Sequence, residues 1–527
     1  MTFNGNIVEI PIGNEGLTGN KNLSTVRPTQ LLEANNISYS TGTITKEGGS
    51  AKYNASAITG TPAILGGTEY YPTTGTQRIV ILADDGKLYK DTDTTFSVTL
   101  KSGLTVSDVI PDFVVGGKEA AANNTKLFCF TGKNVVQVLS ADGATTSDIT
   151  SPPTDWTGAT QPTGGVIHEG RLWGWGNSND PHRVYASLPT DHEDFTSTAL
   201  NLSVYPGEGE KLVAGISFKG FLIMFKYPRG VYAIDTTSPT VSDWKIKKLS
   251  THVGSPNART VVQVVEDVVF LDRSGSIHSL SSTDEFGDVK TSNVSTIVDM
   301  DEYARDNFST ANMANAQGIY YADKSEVQFS VPDAGSTTNS RMLVLDLSSQ
   351  TAKFRVSDKD AAIGLWLWTD TSFTQIPMAG DAAGFVWKLD QSSLTKDGVG
   401  YNAQFQTPHL DLSHTDPRLS VINKRGKFLE LVVEPLGNWD MSIDVLWDGD
   451  IEDTYQFSMG STGATLGSFI LGTDVLGAAA IANRKKRITG GGRRISLIGR
   501  NSGAGEGFSI AKILLHYVPG DQGIRDG

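Results

Sequence analysis

The densest group of potentially reactive side chains is Asp191-His192-Glu193-Asp194, three carboxylates and an imidazole in consecutive positions. Such a group can ligate a cation or act as general acid and base. The other reading is a solvated loop after a hairpin, and it is preferred. His168-Glu169, just before a strand that begins at Arg171, reads the same way. Asp448-Gly449-Asp450-Ile451-Glu452-Asp453 has the oxygen density of a calcium loop. Its glycine is misplaced for an EF-hand and the segment joins two strands, so it reads as a hairpin turn. Cys129 is the only cysteine and lies mid-strand in KLFCF. It has no disulfide partner within the chain and reads as a buried thiol. The G-x-S-x-G pattern fails because Gly220 comes one place late after Gly215 and Ser217. The Walker pattern before Gly132-Lys133 fails because Leu127 stands where a glycine is required. No H-E-x-x-H or C-x-x-C occurs. These residues assign no catalytic, metal or cofactor site, and an enzyme is not expected.

The strongest charge feature is basic. Arg484, Lys485, Lys486 and Arg487 are followed by Arg493, Arg494 and Arg500, in a chain of net charge −14. Three readings stand: a patch facing phosphate, a patch meeting an acidic neighbouring subunit, or a solvated hairpin that protects a sheet edge from aggregation. No aromatic residue interleaves with the run, which weighs against stacking on single-stranded nucleic acid. The overall acidity weighs against a nucleic-acid clamp, which needs many phosphate contacts.

The elements carrying these residues are short strands. Val, Ile, Thr, Ser and Gly dominate and helical periodicity is scarce, the composition of an all-β chain. The segment Gly164–Thr196 sets the pattern: a strand from Arg171 to Gly176, a turn at Asn177-Ser178-Asn179-Asp180-Pro181, and a return strand from Arg183 to Ser187. Similar hairpins recur about every 40 to 50 residues, the spacing of propeller blades. In one of them Arg78–Leu82 and Lys87–Lys90 flank Asp84-Asp85-Gly86. In Ile363–Trp368, Ile363, Leu365 and Leu367 face one way and Trp366 and Trp368 the other. A strand apolar on both faces must be covered on both, which blades packed face to face achieve. Leu31–Asn35 reads as one helical turn and Val298–Phe308 as the one short helix.

A length of 527 residues implies more than one domain. The expected division is an extended segment 1–56 packing on the C-terminal domain, a β-propeller-like domain 57–390, a β-sandwich 391–520 and a tail 521–527. The Gly- and Ala-rich insert 460–483 reads as a contact arm or channel loop. The first residues lack the basic and apolar regions of a signal peptide, and no apolar run is long enough to span a membrane.

Three stretches resemble one family: GLTGNKNLSTVRPTQLLEANNISYSTGTITKEGGS, GRLWGWGNSNDPHRVYASLPTDHEDF, and KRGKFLELVVEP through RRISLIGRNSGAGEGFSIAKILLHYVPG. The chain is similar there to the tail nozzle of short-tailed bacteriophages, also called tail tubular protein B or packaged-DNA stabilisation protein. The resemblance carries no catalytic residues. It implies a structural protein of the virion tail: a homohexameric ring with an adaptor ring above it, tail fibre, spike or needle proteins as neighbours, and viral DNA passing through the centre. It implies no membrane insertion. An acidic wall suits a conduit, since each phosphate contact would slow a moving duplex. The alternative is a glycan-binding or glycan-cleaving propeller of a phage tail, with Trp173, Trp175, Trp366 and Trp368 as sugar platforms.

Overall fold

The computed structural model describes the chain apart from residues 1–5, 24, 40–41, 74, 118–123, 283–288, 350, 361, 461–480 and 521–527. The expected insert 460–483 therefore falls almost wholly outside the described residues, as does the tail 521–527.

Strands dominate and are arranged as a β-propeller. Six separate four-stranded sheets form blades, each antiparallel from the axis outwards. The first runs through Ile64–Tyr70, Arg78–Ala83, Lys87–Thr92 and Thr95–Lys101. The next four have innermost strands Asp112–Gly117, Gly164–His168, Lys211–Phe218 and Val261–Gln263. The last has Gly364–Thr369 innermost, then Gln375–Gly380 and Val386–Gln391. A further four-strand unit, Gln317–Tyr321 to Lys353–Ser357, stands between the Val261 blade and the last blade. It fills a place in the ring but is not a separate sheet, since it runs on into a nine-stranded one. The innermost strands touch in cyclic order, and Gly364–Thr369 returns to Ile64–Tyr70.

Alternation explains how the ring is filled. In Arg78–Ala83, Ile79, Ile81 and Ala83 join Trp366 in the core between the last and first blades. Val80 and Leu82, on the other face, join Leu127 and Cys129 in the next core. The strand Gly364–Thr369 does the same: Trp366 enters the first of these cores, and Leu365 enters a core shared with Ile319 and Val344. One strand thus serves two inter-blade cores, which is why no polar face is visible in its sequence. The tight turn to Lys87 needs a left-handed residue, and Gly86 supplies it at φ +73°. At the axis the close approach is bare backbone: a Cβ on Gly364 would stand 2.7 Å from Gly66 Cα.

The ring is closed by a distant piece of chain. Gly49–Lys52 is the outer strand of the last blade, pairing Lys52 with Trp387 and Ala51 with Lys388. The rest of the segment 1–56 supplies strands elsewhere. Asn6–Ile10 pairs with Ser509–Pro519, and Glu33–Asn35 pairs with Ala403–Gln406. Leu31–Asn35, expected as a helical turn, is instead parts of two strands, Gln30–Leu31 and Glu33–Asn35. Ala34 is fully buried between sheet neighbours, so tertiary pairing overrides the weak local preference of the Leu-Leu-Glu-Ala run. The expected helix is present as Met300–Asn307 and buries Met300 and Ala304.

The C-terminal strands form two sheets over one apolar core. The seven-stranded sheet carries Leu429, Leu431, Val433, Ile513 and Leu515 into it; the nine-stranded sheet carries Phe405, Met441, Ile443, Val445 and Leu497. This second sheet contains the strands of the Gln317–Ser357 unit, so the lobe and the ring share a continuous sheet.

Candidate functional site: two open sheet edges

The basic run falls into two groups. Ala482–Arg487 is an edge strand of the seven-stranded sheet, paired on one side with Lys424–Val433. Glu430 faces Lys485 and Phe428 faces Arg487, while Leu431 faces Arg484 and Leu429 faces Lys486. Directly opposed residues in an antiparallel pair lie on the same face. Lys485 and Arg487 therefore project from the outer face, and Arg484 and Lys486 from the face that carries Leu429 and Leu431. Lys485 Nζ lies 3.8 Å from Glu430 Oε2 and 4.9 Å from the centre of the Phe428 ring. Arg484 Nε donates to the Ser458 carbonyl at 3.0 Å, and its terminal nitrogen donates to the Gly460 carbonyl. These two cations are held within the chain. Lys486 and Arg487 are exposed.

Arg493 and Arg494 belong to the other group. They lead into Ile495–Asn501 of the nine-stranded sheet, and both side chains are exposed. Their backbone N–H groups donate to the Asp448 carboxylate at 2.8–3.1 Å. The turn that resembles a calcium loop thus spends its first carboxylate on backbone donors and joins Asp440–Trp447 to Asp450–Ser458, as a hairpin should.

Among the described residues Asp450–Ser458 is likewise paired on one side only, as the edge of the nine-stranded sheet. Its first half is acidic and exposed, with Asp450, Glu452 and Asp453. The two open edges lie side by side: Tyr455 Oη is 3.2 Å from Thr489 Oγ1, and a Cβ on Gly490 would meet Glu452 Cγ at 2.7 Å. Among the described residues the lobe therefore presents one basic and one acidic edge strand side by side, each paired on one side only. In the sequence Asp450, Glu452 and Asp453 stand out only as part of a calcium-loop look-alike read as a hairpin turn; their place on an edge strand beside the basic one comes from the sheet pairing.

The acid–imidazole clusters do something else. The preferred reading of the Asp191 cluster as a solvated loop is corrected: His192 is 6% exposed and Glu193 4%. His192 Nδ1 accepts the Gly117 N–H at 2.9 Å, Nε2 donates to the Gly170 carbonyl at 3.0 Å, and Glu193 pairs with Lys126. The cluster is a clasp between the Asp112 and Gly164 blades. His168, also read as a solvated residue, is 2% exposed, with hydrogen bonds to Ser217 Oγ and Thr236 Oγ1, each at 2.8 Å. Burial lowers its pKa. Among the described residues no group of three or more His, Cys, Asp or Glu is placed to hold a metal ion, and no helix is long and apolar enough to cross a membrane. Cys129 is buried, and burial pushes its thiol up beyond the physiological range. Trp173, Trp175 and Trp366 are inside the blades, at most 2% exposed.

Two features have no sequence signal. Arg355, Lys359, Glu47, Glu326 and Asp360 form a buried ion cluster at the junction of ring and lobe, drawn from segments some 300 residues apart. A pair of cavities at one end of the propeller axis is the other.

No protein-family profile matches the chain, and no curated protein matches it. Among solved structures it is similar to YCF48 from Cyanidioschyzon merolae, at 10% identity and TM-score 0.38, covering 65% of this chain and 98% of that one. It is also similar to the computationally designed Ika8 protein, at 10% identity and TM-score 0.34, covering 63% and 96%. A third is BBS1N in complex with ARL6DN, at 10% identity and TM-score 0.41, covering 65% and 96%. Similarity at this level carries no argument about function.

Proposed function

We propose that this chain is a structural subunit of a phage tail, one copy of the ring-shaped nozzle through which DNA is retained and then ejected. The sequence resemblance to tail nozzles motivates the reading. The observation that supports it best is the pair of open sheet edges of opposite charge, Ala482–Arg487 basic and Asp450–Asp453 acidic. An exposed edge strand is a template for pairing with another chain, and opposite charge sets which edge meets which. Copies of the chain would join through these edges, Lys486 and Arg487 of one against Asp450 and Glu452 of another; because the edges lie side by side this contact is self-complementary, and the ring order rests on the resemblance alone. The net charge of −14 suits a wall that DNA passes without sticking.

The test is the mass of the purified chain by light scattering, alone and with adaptor rings. A closed oligomer is expected. The double variant Lys486→Glu, Arg487→Glu should shift it towards monomer, and Asp450→Lys with Glu452→Lys in the same chain should restore it. A strict monomer in the presence of adaptor rings overturns the reading. The alternative, a glycan-binding propeller, requires tryptophan faces open to solvent; Trp173, Trp175 and Trp366 are buried, and Trp368 is half-buried, packed edge-on to Tyr53 with Lys388 over its ring.

A further inference from the structure

The two edge strands of the lobe run antiparallel to each other where they adjoin. Arg484 reaches the Ser458 carbonyl, Thr489 meets Tyr455, and Gly490 stands against Glu452, so residue numbers rise along one strand as they fall along the other. Among the described residues each strand is paired on one side only. The two unpaired flanks therefore open on the same side of the lobe, one from each sheet.

Asp450, Glu452, Lys486 and Arg487 are all exposed, and among the described residues none of the four is in an ion pair. Ile451, on the acidic strand, and Ile481, next to the basic one, are 58% and 57% exposed. Backbone groups without a strand partner, charge of both signs and two large apolar side chains thus share one side of the lobe. A strand edge of this kind is a template for another chain. A second copy of the chain brings both signs of charge on the same two strands, so each edge finds its complement.

Symmetry decides how the copies meet. Where two complementary patches adjoin and face the same way, setting each on the other's counterpart relates the copies by a half-turn, and the contact closes on itself. A six-membered ring turns each copy by about 60°, so its two patches must face about 120° apart. Edge strands that touch at 3.2 Å on one flank of a sandwich do not. A half-turn about an axis parallel to the strands sets Ala482–Arg487 of one copy beside Asp450–Ser458 of the other, and the reverse. Both pairings are antiparallel because the two strands are antiparallel within the chain, so the seven-stranded sheet of each copy continues into the nine-stranded sheet of the other with regular hydrogen bonding. Glu452 of one copy then comes level with Gly490 of the other. Arg487 is three residues away, about 10 Å along a strand, which two extended charged side chains span.

We infer that these edges join the chain to a second copy of itself in a closed two-fold pair, and that they do not close a ring. The pair rests on the reading of the edges given above and not on the tail assignment. A ring, where one forms, uses a different surface.

Two variants of the full chain test it by sedimentation and light scattering. Lys486→Glu with Arg487→Glu makes both edges acidic, and Asp450→Lys with Glu452→Lys makes both basic. The parent is expected at twice the chain mass. Each variant alone should dissociate at least about 10-fold more readily, since like charges then oppose each other twice in a two-fold contact. Their equimolar mixture should restore the pair, one chain of each, and stop at two chains. A mixture that alternates into a larger closed ring keeps the edges as a contact between copies and overturns the two-fold pair. A monomeric parent overturns the pair and the edge contact together. Pairs of undiminished strength in each variant alone overturn the assignment of the contact to these edges. All four substituted residues are exposed, so folding should be kept, and an unchanged thermal midpoint checks it.

Discussion

Glu47 shows how much a single side chain can carry. Burial alone would raise its pKa, but the Arg355 and Lys359 charges and the hydrogen bonds from Lys359 and Ser357 outweigh burial and hold it at about 2. Both cations are pushed up in turn by their carboxylates, although burial opposes this. Removing one partner of a buried cluster strands the others, at about 3–5 kcal/mol. Glu47→Gln should therefore lose about that much stability at neutral pH, read by urea unfolding. The sign with pH follows from the depressed pKa. The contribution of ionised Glu47 is complete above its ordinary value of 4.5 and is lost as pH falls through about 2. The gap between parent and Glu47→Gln should thus narrow between pH 4.5 and 2; a gap that stays constant with pH would show that Glu47 acts by shape alone. None of this is legible in the sequence, where Glu47 sits in an ordinary Lys-Glu-Gly-Gly turn. The Trp366 side chain is the opposite case. Its place in a blade core follows from alternation, and its burial to 2% is what alternation requires. Trp366→Ala should cost about 3–5 kcal/mol through the cavity left behind, read as a lowered thermal midpoint.

At the scale of elements, the closing strand Gly49–Lys52 is the weak joint of the ring. It pairs with a blade whose other strands lie more than 300 residues later. Ser50 donates its N–H to the Thr395 carbonyl at 2.8 Å and its hydroxyl to Asp360 at 2.7 Å. Ser50→Pro removes the first bond and the hydroxyl and fixes φ, so a loss of about 3 kcal/mol or more is expected. Hydrogen exchange should then rise first in Val386–Gln391, the strand it covers; uniform change across all blades would count against a local joint. The hairpins themselves were readable, because Asp-Gly and Asn-Ser-Asn-Asp-Pro turns and two-residue alternation are local signals. Leu31–Asn35 was misread because strand pairing with a remote partner, not local propensity, decides its backbone. His192 and His168 were misread for a related reason: what buries each of them is the neighbouring blade.

For the whole molecule, acidity and the open edges act together. Lys486→Glu with Arg487→Glu should leave the thermal midpoint of the isolated chain nearly unchanged, within about 0.5 kcal/mol, since exposed substitutions away from structural features have small effects. The same change should reduce the oligomer mass. A fall in stability without a fall in mass would move those residues from contact to structure. The all-β class, the blade spacing and the two-faced strands followed from the residues alone, because they depend on composition and on periodicity within a few residues. How the ring closes, how a blade runs on into the lobe, which charges are buried and where the axial cavities lie were decided by tertiary structure. Each of these brings together residues from distant parts of the chain, and their energies arise from burial and pairing that no local stretch contains.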